Sequence, residues 1–129
     1  MAIVTPLTAE SSLLSYLLST QSLILKLFTN DITPDQNTVL TGVTEATQQA
    51  GYAEITLAGG GWTITQPSGV TTGTHSEQTF TFTTAVNAYG YYLVNTGGAL
   101  QWIERFSGAP FTLPSGGGQI NITPKLTLS

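Results

Sequence analysis

His75 is the only histidine in the chain and there is no cysteine, so any acid-base triad or metal centre has to be built around one imidazole. It stands in Thr72-Gly73-Thr74-His75-Ser76, which reads as a polar loop entering a strand. Glu77 follows two residues on, on the same side of an extended backbone. Zinc needs three or four ligands, and neither a second imidazole nor a thiolate is available. The expectation for His75 is an exposed loop side chain. A glycosidase needs only two carboxylates, but the acids Glu10, Asp31, Asp35, Glu45, Glu54, Glu77 and Glu104 show no pairing in their spacing. Asp31 and Asp35 flank a Thr-Pro turn, Glu54 and Glu104 fall on solvent phases of strands, and Glu104 with Arg105 or a cross-strand partner reads as a surface ion pair. Gly59–Gly61 and Gly116–Gly118 lack the lysine and following helix of a phosphate loop and read as turns. Asn121-Ile122-Thr123 matches a glycosylation sequon, which carries meaning only behind a secretory signal. No catalytic residue, metal ligand or cofactor is expected, and the chain reads as a non-enzyme.

The aromatic residues offer binding rather than chemistry. Tyr89, Tyr91 and Tyr92, with Trp62 and Trp102, form either a stacking platform for a sugar or an anchor for a protein partner. Trp62, Phe80 and Phe82 read as core; Tyr89 and Tyr92 divide evenly between core and contact surface.

The elements that must position these residues are mostly strands. Thr8 as a cap, Glu10 near the positive end of the helix dipole and leucines at Leu13, Leu14, Leu17 and Leu18 predict one short helix over 8–19. From Ser22 the period changes to two, with Leu23, Leu25 and Leu27 on one face and Ile24, Lys26 and Phe28 on the other. Residues 30–51 show no sustained alternation and read as a long surface excursion. Tyr52–Leu57, Trp62–Thr65, Glu77–Thr83, Tyr91–Val94, Leu100–Phe106, Phe111–Leu113 and Gln119–Leu126 supply further short strands, with Pro124 at a sheet edge or leaving the sheet. About eight strands and one helix predict an all-β, antiparallel β-sandwich or jelly-roll-like barrel in a single domain over 1–129. Its parts are an arm at 1–7, the helix at 8–19 and the β-sandwich at 22–129.

Composition narrows the class of partner. The chain is 40% hydrophobic and only 8% charged, against about 25% charged in an ordinary domain, which excludes disorder and leaves a surface of Thr, Ser, Asn, Gln and Gly. Such a surface tolerates dense packing against neighbours, as an assembly component requires. Lys26, Arg105 and Lys125 are the only bases in a chain of net charge −4, so nucleic acid and anionic membranes are poor partners. The apolar runs Leu13–Leu18 and Leu23–Phe28 are separated by Ser19-Thr20-Gln21-Ser22 and neither spans a bilayer. Together with an N-terminus lacking a basic flank, this predicts a soluble protein made in the cytoplasm.

Thr44-Glu45-Ala46, then Gly51-Tyr52-Ala53-Glu54-Ile55-Thr56-Leu57 and Trp62-Thr63-Ile64, resemble a motif of small tailed-bacteriophage virion proteins. The opening Ile3-Val4-Thr5-Pro6 with its leucine-rich helix, the strand Leu23–Phe28 leading into Asn30-Asp31-Ile32-Thr33-Pro34, and the close Gly118–Pro124 are similar to the same group. The resemblance extends to capsid decoration, or cement, proteins of cyanophages. It implies a homotrimer on the capsid exterior of a virion assembled in the host cytoplasm, clamping the major capsid protein, with no catalytic residues. The candidate contact residues are Ile3, Val4 and Pro6 in the arm, Asp31, Ile32 and Pro34 in the long loop, and Tyr89 and Tyr92. The alternative is a tail or head-fibre protein that binds a receptor or glycan through the aromatic cluster.

Overall fold

The structure, a computed structural model, describes residues 6–128. One helix, α1 (Leu7–Ser19), precedes eleven strands: β1 (Leu23–Phe28), β2 (Ile55–Leu57), β3 (Trp62–Thr65), β4 (Thr71–His75), β5 (Gln78–Phe82), β6 (Val86–Ala88), β7 (Gly90–Asn95), β8 (Leu100–Arg105), β9 (Phe111–Leu113), β10 (Gly118–Ile122) and β11 (Lys125–Leu128). The protein is mostly β, and every strand pairing is antiparallel. The helix starts a residue earlier than the sequence suggests. Pro6, extended at φ −60° and ψ 152°, occupies the cap position, so Thr8 lies inside the first turn and caps nothing.

The sheets run in the orders β2-β1-β7-β8, β11-β4-β3, β10-β5 and β6-β9. Four of these pairings are nested: β7 with β8, β6 with β9, β5 with β10 and β4 with β11. The chain from β4 to β11 is therefore one long antiparallel ribbon, doubled back at the β7–β8 turn and bent between strands. Pro124 marks one bend. The expected single strand Gln119–Leu126 is split there, β10 staying with β5 while β11 crosses to β4. A proline has no N–H for the ladder, which makes it a natural place to change sheets.

β1 inserts against β7, with Leu23 opposite Asn95 and Phe28 opposite Gly90. Its leucines Leu23, Leu25 and Leu27 face the main core, together with Leu14, Leu18, Leu57, Phe80, Phe82, Leu93, Ile120 and Leu126. Phe80 and Phe82 occupy the same face of β5, as their alternation predicts, and Tyr52 stacks on both at 5.8 and 6.1 Å. The opposite face of the four-stranded sheet has a smaller core of its own, Phe28, Tyr92 and Val94, with Ile32, Leu40 and Val43 from the long loop packed over it. Gly90 permits this arrangement, because a Cβ there would collide with the Glu104 carbonyl and the Phe28 ring. No helix among the described residues is long and apolar enough to cross a membrane.

Two strands have no counterpart in the sequence reading. β4 replaces the polar loop expected around Thr72-Gly73-Thr74, and its Thr71 and Thr72 are buried. β6 is only three residues long, too short to show a period.

Candidate functional site

The long excursion is a fastened cover. Asn30 closes its neck: the side-chain amide donates to the Gly42 carbonyl at 2.8 Å, and the amide oxygen accepts from the Thr44 N–H at 2.9 Å. Thr29 N–H also donates to the Thr44 carbonyl at 2.9 Å. Inside the loop, Asp35 accepts from Asn37 N–H at 2.8 Å and Thr38 Oγ1 accepts from Asp35 N–H at 2.8 Å, forming a tight polar turn ahead of the exposed Val39.

Two of the three bases hold this cover down. Lys26, on the outer face of β1, pairs with Glu45 at 3.2 Å and Glu54 at 3.8 Å. Arg105, at the end of β8, pairs with Asp31 at 2.5 Å, donates to the Ile32 carbonyl at 3.0 Å and lies 5.4 Å over the Tyr89 ring. Asp31, Ile32 and Tyr89 thus converge on one guanidinium, a grouping that sequence spacing does not reveal. Glu45 also accepts from the Tyr52 hydroxyl at 2.8 Å. Burial raises the Tyr52 phenol well above the ordinary tyrosine range, and the hydrogen bond to Glu45 and its charge add to the shift.

The eight expected contact residues fare differently. Ile3 and Val4 lie outside the described residues. Pro6 is exposed at the head of α1, Asp31 is exposed, and Pro34 and Tyr89 are half-buried. Ile32 is half-buried as well, but its side chain packs over the smaller core. Tyr92 is buried at 3% exposure beside Phe28, at a ring separation of 6.4 Å. It serves as core and does not form a surface platform with Tyr89, because the cover closes the face on which it stands.

Exposed apolar side chains lie elsewhere. Leu13 and Tyr16 are 54% and 69% exposed on the outward side of α1, and Leu7 is exposed at its start. The helix buries Leu14 and Leu18 against the strands, so its other apolar residues cannot all share that stripe. The adjacent pair Leu13-Leu14 carries this signal in the sequence, since neighbours on a helix point about 100° apart.

His75 is buried, contrary to expectation. It ends β4 opposite Trp62 and meets that ring edge-on at 5.1 Å. Its Nδ1 lies 3.1 Å from the Ser76 carbonyl, while Nε2 and the Trp62 Nε1–H have no hydrogen-bond partner among the described residues. The ring fits because residue 61 is glycine; any Cβ there would overlap Nε2. Among the described residues no group of three His, Asp or Glu side chains is placed to hold a metal ion. Compared with known protein families, curated proteins and solved structures, the chain matches none.

Proposed function

We propose that this chain is a structural virion protein, a capsid decoration protein that binds the major capsid protein on the outer face of a phage head as a homotrimer. The observation that carries the reading is the exposed apolar side of α1, where Leu13 and Tyr16 face outward, together with the exposed Pro6 and Leu7 at the helix start, which follow in sequence on the expected arm with Ile3 and Val4. An arm of this kind adds a modest contact at each of many equivalent sites, and symmetry multiplies its effect across the shell. The charge-poor exterior supports the same reading: Lys26 and Arg105 are both engaged in holding the loop, leaving Thr, Asn and Gln to face the neighbours. The nested pairing of β4 to β11 supports a jelly-roll-like sandwich, an architecture used in capsid domains among others.

The test is binding of the full chain and of a variant lacking residues 2–6 to decoration-free heads of the phage. Occupancy measured by cryo-electron microscopy should fall at least tenfold in the variant, with its thermal unfolding unchanged. Equal occupancy, or localisation of the intact chain to the tail, overturns the proposal.

A further inference from the structure

The sheet β11-β4-β3 ends in an outer strand that nothing guards. His75 N–H donates to the Pro124 carbonyl at 2.9 Å, so the backbone groups of His75 and Gly73 point to β11 and those of Thr72 and Thr74 point to β3. Thr63 and Thr65 lie opposite Thr74 and Thr72 and take up those bonds. The N–H and C=O groups of Trp62 and Ile64 therefore point away from the sheet, and among the described residues they meet no backbone partner. Outer strands are ordinarily kept from pairing by charge, proline or shortness. β8 carries Glu104 and Arg105, β11 carries Lys125 and β2 is three residues long, whereas β3 reads Trp62-Thr63-Ile64-Thr65. All four residues favour strands, none is charged, and Trp62 and Ile64 give the edge a half-buried apolar flank.

The helix begins close to this edge. Gln66, next after β3, donates from its side-chain amide to the Leu7 carbonyl at 2.6 Å, and Gly59, ahead of β3, packs on the backbone of Ser19. α1 thus runs antiparallel to β3, and the chain enters the helix beside the C-terminal end of that strand. The segment ahead of it, Ala2-Ile3-Val4-Thr5, is as long as β3, uncharged and rich in β-branched residues. Pro6 follows, with no N–H to extend a ladder.

We propose that residues 2–5 add as a strand to the free edge of β3 on a second copy of the chain, each copy giving one arm and receiving one. To lie along its own β3 the arm would have to reverse direction at Pro6. That residue is extended at φ −60° and ψ 152°, and a residue ahead of a proline is held extended as well, so no turn is there to make the reversal. Arm on edge is a contact of unlike surfaces, which joins copies head to tail and closes into a ring where the rotation returns to the first copy. Copies of net charge −4 repel one another, and this joint has no charged side chain on either side. The inference rests on the homotrimer of the reading above. It places the arm between copies and leaves Leu13 and Tyr16 on α1 to face the head through linked, mutually reinforcing contacts.

The test is amide exchange, followed by NMR on the full chain in solution without heads, across the concentrations at which sedimentation shows trimers replacing monomers. Exchange at Trp62 and Ile64 should slow by at least about tenfold in the trimer. A mixture of isotope-labelled chain lacking residues 2–5 with unlabelled full chain identifies the donor. In the mixture the labelled Trp62 and Ile64 should be protected; alone, the shortened chain should stay monomeric with both amides in fast exchange. Diluted below the association range, full and shortened chains should unfold at the same temperature, because the arm holds nothing in its own chain. Protection that does not depend on concentration puts the arm on its own β3 and overturns the proposal. So does a chain that stays monomeric throughout, or a trimer that forms without residues 2–5 or leaves Trp62 and Ile64 unprotected. The concentration series is read on the unaltered chain and needs no heads, so its outcome is separate from capsid occupancy and from the folding of the shortened chain.

Discussion

The two faces of the sheet β2-β1-β7-β8 are both buried, but by different means. The inner face meets strands and a helix drawn from the whole chain, and its leucines are sealed to 0% exposure at Leu23, Leu25, Leu27 and Leu93. The outer face is covered by one local segment carrying Ile32, Leu40 and Val43, tied at its neck by Asn30 and at its sides by Lys26 and Arg105. The inner core therefore depends on global packing. The outer one depends on a few polar pins, and the chain's small stock of charge is concentrated on them.

The broadest way to break both faces at once is alkali. Burial raises the phenols of Tyr52, Tyr91 and Tyr92 above the ordinary tyrosine value. Glu45 adds to the shift at Tyr52 and Glu104 at Tyr91, while Glu45 and Glu54 add at Tyr92. The folded state thus holds protons that the unfolded chain releases above about pH 10. Stability is complete below that pH and falls above it by up to about 1.4 kcal/mol per pH unit for each phenol. Chemical denaturation between pH 9 and pH 12 checks this, and Tyr52→Phe should flatten the slope by about one phenol's share. An unaltered slope would remove Tyr52 from the account.

A cut on the inner side alone comes next. Leu25→Ala should cost about 2–5 kcal/mol, since it leaves a cavity among fully buried neighbours. The loss should appear as a single cooperative shift of the whole unfolding curve. The smallest effect belongs to the pins. Asn30→Ala removes the two hydrogen bonds at the neck and should cost roughly 1–2 kcal/mol. Amide exchange should quicken in residues 31–43 while β5 and β10 stay protected. Faster exchange throughout the molecule would show that the cover and the inner core open as one unit.

Those contrasts also mark what could be read from the chain alone. Alternation located Phe80 and Phe82, whose strand β5 has one dry and one wet side, and the leucine face of β1, whose leucines alternate with Ile24 and Lys26. It failed at β4, where Thr71 and Thr72 are buried although threonine alternation looks like loop. It also failed for the cover, whose apolar residues Ile32, Leu40 and Val43 are too widely spaced to give a period. His75 was misplaced because its burial depends on the missing Cβ of Gly61, a contact between strands that local pattern does not encode. The convergence of Asp31, Ile32 and Tyr89 on Arg105 depends on β1 pairing with β7, a long-range fact, and so stayed hidden.

The insertion of β1 against β7 sets a timetable for synthesis. The strand that the leucine-rich β1 needs, Gly90–Asn95, leaves the ribosome more than sixty residues behind it. At ordinary elongation rates that gap lasts on the order of several seconds. During this interval the only strand available to it is the three-residue β2, which leaves its other edge open. The nascent chain is then exposed to pairing with its neighbours on the same messenger, and a holding chaperone would act on it most usefully before β7 emerges.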